Sequence, residues 1–344
     1  NIANLGKIHA FILKIRLLSL SMKLTNYDTI LDNLYNKHYK NLSSSLSVTS
    51  SHWSDSSPHQ LYKVSEGEQK GQYHMTGGGF GFYSKATWFH KIRILPIVFL
   101  LSNILRKYNC QKNIVNAGKQ VNEKINFLLS YDNVKTMLSL NLIVKVLNKS
   151  NIRIGDKESV KIICIIGDGY GFFSNLLRQF EPSIKVISIN LGKTLLFDVQ
   201  YSKACFPDID VALIRSMQDK ELLFENDISF IEAENYHFLQ DLPIDMFINV
   251  ASMQEMNPEI VENYFNYMRG SSRPSPYFYC CNRVEKSLPD GTIINFFDYP
   301  WKNKDKVIVD ELCPWYQKFP YFSLKIFPIW RPFDGPIWHR LLKF

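Results

Sequence analysis

The alternation of apolar and polar positions is sharpest in the middle of the chain. Residues 160–166, Val-Lys-Ile-Ile-Cys-Ile-Ile, form a nearly unbroken apolar run, the pattern of a strand buried on both faces of a parallel sheet. Glycines follow at 167, 169 and 171. Phe172, Phe173, Leu176, Leu177 and Phe180 then recur at helical spacing, so the chain passes directly from strand to helix. Further on, the pattern predicts a second strand over 185–190, a helix running through Tyr201 to Cys205, a third strand over 227–233 and a fourth over 245–252. A helix over 259–269 is expected next, with Pro258 as its first residue and Asn257 as its cap, and then a fifth strand over 276–281. Strands alternating with helices make a doubly wound, Rossmann-like α/β sheet. The tail carries Trp301, Trp315, Trp330 and Trp338 among many prolines and is expected to add a closing antiparallel element near the site.

The first 150 residues read differently. The apolar run within 86–108 is too short and too polar at its ends for a transmembrane helix, and from there to about 149 the spacing is helical, while the Ser-rich stretch 43–58, with Trp53, and the glycine cluster 76–81 read as loops. Expected boundaries are therefore 1–150 for a mainly helical cap or substrate region and 151–344 for the α/β domain. Charge divides at the same place. Residues 1–150 hold 19 Lys and Arg against 7 Asp and Glu, a net of +12, and the remainder nets −4. The first half is expected to meet something anionic, such as a nucleotide-linked or lipid-linked sugar or a membrane surface, or else to present a solvated basic face. Nucleic acid is not among the expected partners. Residues 5–24 are basic and amphipathic, too interrupted by Lys and Arg to span a bilayer, and either lie on a membrane or pack on their own domain. The sequence opens on Asn1, which leaves two readings, a fragment or a start at Met22. Six cysteines without C-x-x-C spacing point to a reduced, cytoplasmic protein, at most touching the inner face of the membrane. No ligand set for a metal stands out, so none is expected.

Bare backbone between a buried strand and a helix N-terminus is the layout of a nucleotide-type cofactor loop. The dinucleotide fingerprint needs a third glycine where Phe172 stands. The pattern present, Gly167-Asp168-Gly169-Tyr170-Gly171, resembles motif I of S-adenosylmethionine (SAM) dependent methyltransferases. An acidic residue that would hold ribose hydroxyls at the end of the second strand is replaced by Asn190.

Taken together, residues 162–171 and Phe247-Ile-Asn-Val-Ala-Ser-Met-Gln-Glu-Met256 resemble the sugar O-methyltransferase family found in deoxysugar and surface-polysaccharide gene clusters. That family shows E-I-G-x-G-Y-G, a D-L-P after the second strand and I-N-x-x-S-M-Q-E-M after the fourth. The last is matched from Ile248 to Met256; the first 150 residues match only loosely, through Trp53 and the glycines of 77–81. Two carboxylates depart from the pattern: Ile165 replaces the acid before the first glycine, and D-L-P is Asn190-Leu191-Gly192.

The resemblance implies a SAM-dependent methyltransferase domain acting on a sugar hydroxyl. Gly167, Asp168, Gly169, Tyr170, Gly171, Asn190, Leu191, Glu232 and Ser252 are the candidate cofactor residues, with Asp168 or Glu232 compensating for the missing acids. Glu255, past the fourth strand, is the candidate base or substrate ligand, and equally fits an ordinary helix-entry carboxylate. His237 is a second candidate base, or a loop histidine packed beside Tyr236 and Phe238. Gln254 is a candidate partner for a sugar hydroxyl. Three alternatives stay open: a degenerate member that binds a glycan or protein without catalysis, an NAD-dependent oxidoreductase, and a membrane-associated assembly subunit that uses the basic first half and little chemistry. The sequence leaves the sugar, its carrier and the oligomeric state undetermined.

Overall fold

All five residues of Ile162–Ile166 are buried, and they serve two cores by turns. Ile163 and Ile165 join one apolar cluster, and Ile162, Cys164 and Ile166 join another on the opposite face of the sheet. The computed structural model describes residues 27–40, 60–63, 73–76, 88–125, 129–155, 160–321 and 329–344. The amphipathic stretch 5–24, Trp53 and the glycines of 77–81 lie outside the described residues.

Helix α1 (27–35) runs into a π-turn at Asn36–Lys40. Strands β1 (Gln60–Lys63) and β2 (Tyr73–Thr76) pair antiparallel. Three helices follow: α2 (Trp88–Lys107), α3 (Lys112–Lys124) and α4 (Tyr131–Lys149). Helix α4 starts on a reciprocal cap, in which Asn133 N–H donates to Ser130 Oγ and Ser130 N–H to Asn133 Oδ1. Among the described residues the N-terminal region is thus mainly helical, as expected, with the β1–β2 pair added. Among the described residues no helix is long and apolar enough to cross a membrane.

From residue 162 the chain alternates: β3 (Ile162–Ile166), α5 (Phe172–Phe180), β4 (Lys185–Asn190), α6 (Gly192–Cys205), β5 (Val211–Ile214), β6 (Ile228–Glu232), β7 (Met246–Val250), α7 (Pro258–Arg269) and β8 (Tyr277–Arg283). Short strands β9 (Glu285–Ser287) and β10 (Ile293–Asn295) pair with each other. Strand β11 (Lys306–Leu312) follows, then the β12 (Lys318–Tyr321) and β13 (Ile329–Pro332) pair, and finally β14 (Ile337–Lys343). The main sheet has eight strands in the order β11-β14-β8-β7-β3-β4-β6-β5. Six are parallel, and β14 runs antiparallel to both β8 and β11. This is the expected Rossmann-like α/β fold with its antiparallel closure.

Helices α5 and α6 pack on one face through Phe172, Phe173, Leu176, Leu195 and Leu196, and α3 and α4 share that same core through Ile114, Val121, Val134 and Leu138. Helix α7 covers the other face with Ile260, Val261, Tyr264 and Phe265. Strand order reverses at β3, with β4 on one side and β7 on the other, and the glycine loop opens at that switch point.

Two sequence expectations need correction. Strand β5 is absent from the periodicity reading: four residues, Val-Ala-Leu-Ile, between aspartates and an arginine are too few to show a period. Asn257 precedes α7, and Pro258 is its first residue, but the Asn257 side chain makes no capping hydrogen bond.

Candidate active site

The carboxyl ends of β3, β4 and β7 open into one cavity of about 190 Å³. Gly167, Asp168, Gly169 and Tyr170 line it from the loop after β3, and Asn190 and Leu191 from the end of β4. Val250, Ala251, Ser252 and Glu255 come from the end of β7. Gly167, Gly169 and Gly171 all have positive φ, at 74°, 73° and 81°, which glycine alone adopts without strain. Gly167 must also be bare, because a Cβ there would collide with the Ser252 side chain. Gly171 differs from the other two. It stands outside the cavity lining, where a Cβ would come 3.1 Å from the Asp198 Cα, so its bareness serves packing of α5 against α6.

Asp168 lines the cavity with its oxygens committed to the start of α5. Oδ1 accepts from Phe173 N–H at 2.9 Å, and Oδ2 from Ser174 N–H and Oγ at 2.7 and 2.6 Å. Burial pushes its carboxyl up to about 6, against the pull of these donors. Behind it, Asp198 accepts from Ser188 Oγ at 2.8 Å and Asn190 Nδ2 at 3.2 Å. Burial, and then the neighbouring Asp168 charge, push Asp198 well up.

Asn190 is correspondingly occupied. Nδ2 donates to Gly169 O and Asp198, and Oδ1 accepts from Leu191 N–H. It therefore braces the loop rather than standing as a bare substitute for the ribose-binding acid. Glu232, its neighbour across β4 and β6, is not in the cavity lining. Lys37 Nζ lies 3.0 and 3.1 Å from its two oxygens, and His38 Nε2 also contacts it. Burial raises the Glu232 carboxyl, but His38 and Lys37 more than offset this and hold it below its ordinary range. Of the two candidate acids, Asp168 reaches the cavity and Glu232 does not.

The end of β7 explains the matched stretch Ile248–Met256. Ala251 has φ of +60°, a strained turn for a residue with a Cβ, and it reverses the chain into the cavity wall. Buried Asn249 donates to Ile166 O at 2.8 Å and to Ser252 Oγ at 2.5 Å, while its Oδ1 accepts from Met253 N–H and from Asn282 Nδ2. Asn282 Oδ1 in turn accepts from Gln254 N–H at 3.2 Å, and Gln254 Oε1 accepts from Arg283 N–H at 2.7 Å. Most of the motif is scaffold. Gln254 is buried, bonded to β8 and outside the cavity lining, which corrects its expected role toward a sugar hydroxyl. Glu255 does line the cavity, and Lys286 Nζ holds its Oε1 at 2.6 Å.

His237 is also corrected. Its ring is exposed and packs edge-on against Phe238, 4.4 Å between centroids, and it does not line the cavity. Tyr170 does line it, packed edge-on against Phe197 at 5.0 Å.

No family model matches the chain. No curated protein matches it either. Among solved structures, a protein from Thermoplasma acidophilum aligns over 68% of this chain and 98% of its own, at 9% identity and TM-score 0.40. A SAM-dependent O-methyltransferase from Thermotoga maritima aligns over 65% of this chain and 70% of its own, at 12% identity and TM-score 0.36. The pyocyanin biosynthetic protein PhzM aligns over 61% of this chain at 8% identity and TM-score 0.34, and the match spans only 57% of PhzM. Identities near 10% and TM-scores below 0.5 say nothing further about chemistry here.

Sequence reasoning missed an entire wall of the cavity. Asn122 of α3 and Asp132, Asn133, Lys135 and Thr136 of α4 line it, with Tyr316 from the tail. Asp-x-x-Lys on a helix normally reads as a solvated pair, so nothing in the pattern marks Lys135 as buried.

Proposed function

We propose that this protein is a SAM-dependent O-methyltransferase acting on a hydroxyl of a sugar. The observation that carries the reading is continuity: one cavity runs from the glycine loop to the Glu255 carboxylate. The residues fit the cofactor. Gly167 and Gly169 leave the backbone bare where a nucleoside approaches, Leu191 and Ala233 give apolar walls, and Asp168 puts negative charge beside the loop. A dinucleotide would want a third glycine at Phe172.

Bound there, SAM supplies an electrophilic methyl group on a sulfonium. The chain's own part is to align the acceptor oxygen and to take its proton. Alignment in the cavity supplies much of the acceleration. Glu255 accepts the proton as the C–O bond develops, a general-base contribution of about 10²–10⁴-fold. Lys286 Nζ fixes Oε1 of this carboxylate at 2.6 Å. The match from Ile248 to Met256 supports a sugar as acceptor, on a nucleotide, lipid or glycan carrier. The +12 charge of the first 150 residues supports an anionic carrier or a cytoplasmic membrane surface as the neighbour.

A second reading has its own support. With Asn190 braced against Gly169 and Glu232 paired with Lys37 and His38, no carboxylate is offered to ribose from the ends of β4 and β6. That favours a degenerate member that binds a glycan or protein partner. Calorimetry with SAM, S-adenosylhomocysteine and NAD on the wild type and on Gly169→Val separates the possibilities. The expected result is binding of the first two ligands to the wild type and loss of about tenfold or more in the variant, whose branched side chain cannot adopt φ of +73° without strain. Equal affinity in both proteins would count against the site, no affinity in either would favour the degenerate member, and NAD binding alone would favour an oxidoreductase.

A further inference from the structure

We propose that Lys135 and Asp132 form the acceptor subsite and hold two neighbouring hydroxyls of a neutral sugar ring. The inference rests on the methyl-transfer reading above and names the substrate chemistry for it. Lys135 is the one lysine or arginine among the described residues lining the cavity, and it is only 6% exposed. A buried ammonium is costly unless compensated. Here Asp132 Oδ1 sits 2.5 Å from Nζ, and the Tyr316 ring lies below it at 3.7 Å, with Tyr131 and Phe333 farther off. Burial alone would depress the ammonium, but Asp132 and Tyr316 outweigh it and keep the group charged.

The stoichiometry of donors points to the ligand. An ammonium has three N–H groups and a carboxylate about four acceptor positions. Asp132 takes one of the former and the Tyr316 ring face lies against Nζ, which leaves donor capacity directly beside a carboxylate with spare acceptor capacity. A donor and an acceptor side by side match a group that does both, a hydroxyl or a pair of adjacent hydroxyls. A phosphate or carboxylate at the same place would gain Lys135 but oppose Asp132, at nearly the same distance. Tyr316 and Tyr264 line the same cavity and give it an apolar, aromatic wall against which the carbon skeleton of a sugar can pack. Any charged carrier on the acceptor then lies outside this subsite.

The test uses the full chain, with methyl α-L-rhamnopyranoside and methyl α-D-glucopyranoside as probes and glucose 1-phosphate as the charged comparison. Saturation-transfer NMR titrations are run with and without S-adenosylhomocysteine on the wild type, Lys135→Met and Asp132→Asn. Met approximates the volume of the buried stem, and circular dichroism checks the fold of each variant. The expected result is binding of at least one glycoside to the wild type, weakened about tenfold or more in both variants, with S-adenosylhomocysteine affinity unchanged within about twofold. No glycoside binding to the wild type, unchanged binding in both variants, or tighter Lys135-dependent binding of glucose 1-phosphate would overturn the subsite. Failure of S-adenosylhomocysteine to bind the wild type bears on the methyl-transfer reading alone, and the titration without nucleoside then decides the subsite.

Discussion

Asn282 on β8 donates through Nδ2 to Oδ1 of Asn249 on β7 at 2.8 Å, and both side chains are fully buried. Through this bond the sheet fixes the turn that carries Glu255, because each asparagine also holds backbone N–H groups of Met253 or Gln254. Asn282→Ala leaves Gln254 N–H unpaired and Asn249 Oδ1 with Met253 N–H alone of its two donors. A stability loss of about 1–3 kcal/mol is expected from stranding buried polar groups, read as the midpoint of urea unfolding. Methyl transfer should fall further than stability accounts for, since the turn loses its register.

Glu255→Gln keeps the shape and a hydrogen-bonding side chain but cannot accept a proton. The expected outcome is a drop of about 10²–10⁴-fold in turnover with the affinity for S-adenosylhomocysteine little changed. Initial rates of labelled methyl transfer, set beside calorimetry, check both halves. A matching fall in nucleoside affinity would assign Glu255 to cofactor binding instead.

Gly167→Ala brings a Cβ against the Ser252 side chain and imposes φ of +74° on a residue that resists it. Loss of SAM binding with a destabilised fold is expected. Pairing it with Ser252→Gly relieves the collision and leaves the backbone strain. The double variant should therefore recover part of the thermal midpoint and not all of it.

Asp168 gives a pH dependence of definite sign. Its folded value, about 6, lies above the ordinary 3.8, so the folded chain binds more protons than the unfolded chain between those values. The contribution to stability is complete below about 4, falls as pH rises toward 6, and is flat above it. In Asp168→Asn, which keeps one acceptor for the α5 N–H groups, the difference from wild type should shrink across that window. Urea midpoints at pH 4.5, 5.5 and 6.5 measure it, and a difference curve of opposite slope would show that burial does not dominate at Asp168.

Local patterns carried the fold a long way. The run at Ile162–Ile166, the strands at Lys185–Asn190 and Met246–Val250, and Pro258 at the head of α7 were all legible, because burial on both faces and helical spacing leave a period in the chain. Val211–Ile214 left none. The glycine loop and Glu255 were legible as neighbours of strand ends. His237 and Gln254 were misjudged for the same reason, since standing after a strand says nothing about which way a side chain points.

By itself, then, the chain determined where strands become helices and that Gly167, Gly169 and Gly171 mark a bend, since these depend on near neighbours and on φ. Only tertiary structure decided what faces the cavity. Lys135 and Asp132 meet Glu255 and the loop across one space because α4 packs on the same sheet face as α5, and Glu232 is withdrawn because the π-turn after α1 delivers Lys37 and His38 to it. Such meetings between distant segments follow from packing two cores around one sheet, and no spacing along the chain encodes them.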